Sequence, residues 1–368
     1  MADRSVRVSA ARRPIEELRF VVVGAYVADC FVRTPRLPAW GHEYEARSIR
    51  TSPGGKALNQ AVALARLGAQ VAAVGAVGDD GLGRDVVAAL ARERIDVSWV
   101  ESRDDAATTI CLCFVSDEGD SAIVWHIDKD VAVSPESVHA AASAFDRADA
   151  VLVTFEPPVP AIRETINMAS RCHARVFVQP APVLADPAAA ASLPWDKVDV
   201  VVPNEIEAHA LLNIGEGGRN VAADGLASAL ADELQVPAVV VTLGESGCIA
   251  HAAGVTRRYS AQQTVAVDTT GASDAFTATF AAHLTAGASE ADAVHAAQSA
   301  AAWAISRPGG YRSMPPPGWV TGGWRSWSWP GSSSRSASWT ARGFWRKPVP
   351  RRAAAERAGA GRGRVFAG

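Results

Sequence analysis

The chain has 368 residues, 48% hydrophobic and 20% charged, with a formal net charge of −3. That is enough for one large α/β domain with an appendage, or two ordinary domains, around a sizeable core. No run of 18 apolar residues occurs, so no transmembrane helix is expected.

Arg4, Arg7, Arg12 and Arg13 precede no apolar signal-type segment, so residues 1–17 read as a flexible leader on a cytoplasmic protein. The charge is uneven. Residues 315–368 hold ten Lys or Arg and a single acid, Glu356; removing them leaves 26 basic and 38 acidic residues, a body near −12. An acidic body argues against nucleic acid as the main partner. The five cysteines (Cys30, Cys111, Cys113, Cys172 and Cys248) are odd in number and irregularly spaced, which reads as reduced thiols. Cys111 and Cys113 share one face of an expected strand, but no second pair completes a zinc pattern.

In chain order, RFVVVGAYVAD from Arg19 is a buried strand ending near Gly24. Residues 57–67 form a helix closed by Gly68. QVAAVGAVG is a strand, and GLGRDVVAALARERI is a helix. TTICLCFVS and SAIVWHI alternate like an antiparallel hairpin turning at Asp117-Glu118-Gly119-Asp120. Strands follow near 149–154, 175–179, 198–202 and 238–242, separated by alanine-rich helical stretches. This alternation predicts a mostly parallel sheet covered on both faces. The segments 26–50 and 106–127 break it and are expected to form a small separate β lid. Beyond Pro315, six of eleven tryptophans fall among Gly, Ser, Pro and Arg without apolar periodicity, so 315–368 reads as a low-complexity tail with little order.

Three glycine-marked elements carry the chemistry. Gly54-Gly55-Lys56-Ala57-Leu58-Asn59-Gln60-Ala61 precedes a helix; the glycines let backbone approach a ligand, and Lys56 and Asn59 offer donors. Asn204 and Glu207 follow the strand VDVVVP, a placement suited to a hydrated magnesium ion and phosphate oxygens. Asp268-Thr269-Thr270-Gly271-Ala272-Ser273-Asp274 opens a helix whose first N–H groups make an anion site. A carboxylate there is ordinarily a cap, but beside phosphate it can accept a proton from an attacking hydroxyl. No GxGxxG follows the first strand, and no P-loop occurs.

In this order and spacing the three elements resemble the ribokinase branch of the PfkB carbohydrate kinase family over residues 19–314. GGKALNQAVALARLGAQVAAVGAVG carries most of the likeness, with VVVGAYVAD, PNEIE, TLGESG and RPGGYRS adding to it. The resemblance implies a ribokinase-like three-layer αβα sandwich with a lid, in one kinase domain over 18–314. It implies an ATP-dependent sugar kinase, ribose being the first acceptor expected. Another sugar, a nucleoside, or a catalytically impaired sugar-binding homologue stays open as an alternative. By resemblance, Asp29, Gly55, Lys56, Asn59 and Glu156 would hold the sugar with Asp274, the base. Gly271, Ala272 and Ser273 would form the anion hole. Asn204, Thr242, Gly244 and Gln298 would line the nucleotide site, with Glu207 reaching magnesium through water. Asp268, Thr270, Ala304, Gly309 and Ser313 would surround potassium, and the lid would join two subunits as a homodimer. Four features depart from the pattern: Ser273 replaces a glycine, Ala57 replaces another, His126-Ile127-Asp128 replaces small residues, and no final helix is expected after Ser313.

Overall fold

The computed structural model describes residues 12–117, 121–212 and 221–319. Residues 1–11 of the expected leader, Glu118, Gly119 and Asp120 of the expected turn, and the tail from Val320 onward lie outside the described residues.

Among the described residues the strands are β1 (Arg19–Val23), β2 (Val27–Arg33), β3 (Ser48–Gly54), β4 (Gln70–Gly78), β5 (Asp96–Arg103), β6 (Ile110–Val115), β7 (Ser121–Val124), β8 (Ala150–Thr154), β9 (Arg175–Gln179), β10 (Val200–Val201), β11 (Ala238–Thr242), β12 (Cys248–Ala252) and β13 (Val255–Tyr259). Between them run α1 (Lys56–Arg66), α2 (Gly81–Arg92), α3 (Pro135–Ala140), α4 (Ala142–Phe145), α5 (Val159–Arg171), α6 (Pro187–Ala191), α7 (Glu205–Leu211), α8 (Ala223–Leu234), α9 (Ala272–Thr285) and α10 (Glu290–Ile305).

Nine strands form the main sheet in the order β13-β12-β11-β10-β9-β8-β1-β4-β5. It is parallel from β11 to β5, with β12 and β13 added antiparallel at one edge. The sequence of β1 shows why both faces are covered. Phe20 and Val22 pack into one core with α1, α2, α9 and α10, while Val21 and Val23 pack into the other with α5 and α8. Two inner helices are buried nearly all round: α1 over Ala57–Leu64 and α9 over Asp274–Ala282. Within α9, Phe276 and Phe280 stack at 6.2 Å. Truncating a buried phenylalanine such as Phe280 to alanine costs about 3–5 kcal/mol.

The lid is a separate four-stranded sheet, β3-β2-β6-β7. Its register differs from two independent antiparallel pieces. β2 pairs antiparallel with β3 but parallel with β6, which sets Asp29 opposite Cys111 and Phe31 opposite Cys113. The end of the expected leader is tied down: Arg13 contacts Asp149 at 2.6 Å, and its N–H donates to Ala286 O at 2.9 Å. At the other end, Met314 is buried and Trp319 meets Trp303 edge-on at 6.4 Å, without a further helix among the described residues.

Candidate active site

The C-terminal ends of the parallel strands and the inner face of the lid enclose a cleft of about 240 Å³, where open α/β sheets take their ligands. It gathers twelve of the expected residues: Asp29, Gly55, Lys56, Asn59, Glu156, Asn204, Glu207, Thr270, Gly271, Ala272, Ser273 and Asp274. Thr242, Gly244, Gln298, Asp268, Ala304, Gly309 and Ser313 do not line it.

Asp274 sits in the first turn of α9, 5% exposed. Asn59 Nδ2 donates to one of its carboxylate oxygens at 2.8 Å and Gln179 Nε2 to the other at 3.1 Å. Gln60 donates to Gln179 Oε1, which fixes that amide in turn. Burial pushes the Asp274 carboxyl above its ordinary range, while Lys56, Asn59 and Gln179 pull it back.

Beside it, Gly271 caps α9 at φ +80, where a Cβ would meet Met314 at 2.7 Å. The first intrahelical bond runs from Ala275 N–H to Gly271 O at 2.9 Å, and no side chain caps the helix. The earlier N–H groups of Ser273 and Asp274 are therefore left for a ligand. Ser273 lies inside α9 and is absent from the positive-φ residues, so the backbone here does not require glycine.

Glu156 accepts from Ala25 N–H at 3.1 Å, Lys56 N–H at 3.2 Å and the Thr154 hydroxyl at 3.1 Å, and so pins the loop that opens α1. Burial raises its pKa. Asp29 is 5% exposed, and burial, reinforced by the charge of Glu156, pushes it up to about 7. It can lie this deep because Gly54 has no side chain; a Cβ there would overlap the Asp29 carboxylate. Burial lowers the Lys56 ammonium, but Glu156, Asp274 and Glu207 outweigh it and hold it above its ordinary value.

Asn204 and Glu207 form a reciprocal capping box on α7: Glu207 N–H donates to Asn204 Oδ1, and Asn204 N–H and Nδ2 donate to the two Glu207 oxygens, all at 2.8 Å. Burial pushes Glu207 up to about 7. With both oxygens already accepting bonds, its geometry suits an outer contact to a hydrated ion better than direct ligation. Four carboxylates against one lysine line the cleft, so a polyanionic ligand fits only with a cation beside it.

The remaining expected residues lie outside the cleft lining. Thr242 bridges Asn204 between adjacent strands, and Gly244 turns at φ +55. Gln298 is buried and donates to Tyr259 O at 3.4 Å. Asp268 accepts from Thr270 N–H at 2.9 Å and Gly309 N–H at 2.8 Å, clamping the loop before α9 to the one after α10. Ala304 is buried on α10, and Ser313 donates to Gly310 O at 2.7 Å.

Gln179 is the site residue that sequence reasoning missed. Its signal was present: a polar residue ending the apolar run RVFVQ, at the C-terminal end of a parallel strand, where ligands bind.

Residues 18–317 match the description "pfkB family carbohydrate kinase". Mouse ribokinase is 32% identical over 271 residues, covering 73% of this chain and 82% of that protein. The ribokinase of Haemophilus influenzae is 27% identical over 296 residues, 80% of this chain and 94% of its own. The structure of Arabidopsis thaliana ribokinase complexed with ribose and ATP aligns with a TM-score of 0.69 at 25% identity, covering 81% of this chain and 96% of that one. The match over most of the chain, on a fold and cleft of this kind, means that the chain belongs to the pfkB family of carbohydrate kinases.

Proposed function

We propose that this protein is an ATP-dependent ribokinase that transfers the γ-phosphoryl group of ATP to the 5-hydroxyl of D-ribose. The observation that carries the reading is Asp274, oriented through both oxygens by Asn59 and Gln179 and set beside the free N–H groups that open α9. A sugar hydroxyl is a poor nucleophile, so the base has only to accept its proton late, as the new O–P bond forms and the bond to ADP breaks. The elevated pKa of Asp274 suits that task. The α9 amides stabilise charge on the transferring group, and Lys56 adds a cation to the cleft. Asp29 and Asn59 orient the sugar: among the described residues no hydrogen bond or ion pair reaches the Asp29 carboxylate, and Asn59 Oδ1 is buried without a partner. Both remain open to sugar hydroxyls.

Magnesium bound with ATP would neutralise phosphate charge, held through water by Glu207 with Asn204 beside it. Thr242, Gly244 and Gln298 belong to the nucleotide side. Potassium at the loop pair clamped by Asp268 would draw on oxygens of Asp268, Thr270, Ala304, Gly309 and Ser313. A homodimer through the lid is supported by one face of that sheet: by register, Ile49, Ile110 and Val124 share it, at 64%, 47% and 58% exposure. Five free cysteines support a reducing, cytoplasmic setting.

The test is ADP release from Mg-ATP with ribose, deoxyribose, fructose and adenosine, in potassium and in a large organic cation. Ribose-dependent release that slows without potassium is expected. Strong turnover of another acceptor with none of ribose would overturn the substrate, and indifference to the cation would remove the potassium site.

A further inference from the structure

Three side chains with metal-ligating atoms meet on the lid side of the cleft: Asp29, Cys111 and Cys113. Asp29 stands opposite Cys111 across the parallel β2–β6 pair, and Cys113 follows two residues on, so strand alternation turns all three toward the cleft they line. A carboxylate oxygen of Asp29 and both sulfurs lie within 4.8 Å of one another, and the two sulfurs are 4.0 Å apart. Asp29 is 5% exposed and Cys113 3%. A buried carboxylate without a protein donor, aimed at two thiols, is a polar group in want of a cation.

We propose that Asp29, Cys111 and Cys113 form a binding site for a soft divalent cation of the zinc class, and that this cation and the sugar exclude each other. Ligand atoms around a tetrahedral zinc ion stand about 3.3–3.8 Å apart, given bonds of about 2.0–2.3 Å. The three atoms reach that spacing by side-chain adjustments of under about 1 Å, and the fourth position stays open toward the cleft. Thiolate ligands select zinc or cadmium over magnesium, so the magnesium accompanying ATP does not compete. As the metal–sulfur bonds form, the two thiol protons pass to solvent. The exclusion rests on reading Asp29 as a sugar ligand; the metal site itself does not.

Cadmium is the probe. The full chain, without sugar or nucleotide, is titrated with cadmium while the ultraviolet thiolate-to-metal absorption is followed. A saturable band is expected. It should disappear in Cys111→Ser/Cys113→Ser, weaken in Asp29→Asn, and be unaffected by Cys30→Ser or by excess magnesium. Should the double variant not fold, Cys111→Ser alone, at a half-buried position, reads the same loss. Ribose should bleach the band, and cadmium should raise the KM for ribose without lowering kcat. Absence of the band from the unaltered chain, or its survival in the double variant, overturns the site. A band indifferent to ribose, in protein that turns ribose over, overturns the exclusion. Failure of the kinase reading itself would appear separately, as missing ADP release beside an intact cadmium band.

Discussion

The floor of the cleft and its lid are built on opposite terms. The floor is the start of α9 on α1 and the ends of β8 and β9, where Asp274, Gln179, Gln60 and Asn59 are all nearly inaccessible and locked by one another. The lid is a thin sheet with one face on the cleft and apolar residues exposed on the other. Burial on the floor fixes the geometry of Asp274, the proposed base, and raises its pKa together. With Ile49, Ile110 and Val124 left exposed, the lid is less firmly held than the floor, so it is suited to selecting and covering a ligand rather than to reacting with it. Chemistry should therefore fail with floor substitutions, and affinity or association with lid substitutions.

Asp274→Ala should have the largest effect, a loss of about 10²–10⁴-fold in turnover with sugar binding retained; activity above a few per cent of the parent would remove Asp274 as the base. Gly54→Ala strikes where floor and lid meet. Its new methyl group displaces the Asp29 carboxylate, so the KM for ribose should rise more than kcat falls, and unchanged steady-state kinetics would contradict the placement of Asp29. On the outer face of the lid, Val124→Asp should halve the mass seen by sedimentation without removing the fold. A parent chain that is already monomeric would end the dimer proposal.

A smaller effect is expected from pH. Burial raises Asp29 and Glu207 to about 7 in the folded chain, against roughly 4 when unfolded. The folded state thus binds more protons across that window, and its stability is fully present below it and declines as pH rises through about 7. Asp29→Asn should flatten the fall in Tm of the ligand-free protein between about pH 5 and pH 8; an unchanged slope would mean that Asp29 is ionised throughout. Smallest is Ser273→Gly. With helical backbone at this position, the substitution should cost about 0.5–1 kcal/mol of stability and leave the KM for ATP in place. A marked fall in that KM would show that the serine side chain crowds the phosphates.

The parallel sheet was legible because buried strands are short apolar runs between helical periods, as RFVVV, AVLVT and AVVVT show. The floor was legible in part because its residues sit in glycine-marked local motifs. What local patterns cannot carry is register between distant segments. β2 and β6 are some eighty residues apart, so neither their parallel pairing nor the meeting of Asp29 with Cys111 and Cys113 follows from either strand alone. Asn204 and Glu207 show the opposite limit: their spacing was read for a metal, and its local effect is a helix capping box that also presents the pair to the cleft. The backbone at Ser273 likewise depended on where α9 begins, which the sequence left undecided.

The most direct test of the central claim is the fate of a labelled γ-phosphoryl group when ATP and ribose are incubated with the full chain. Phosphoryl transfer to a sugar held against Asp274 predicts the label on the 5-oxygen of ribose. Label released as inorganic phosphate, or kept on ATP while ribose is demonstrably bound, would contradict it.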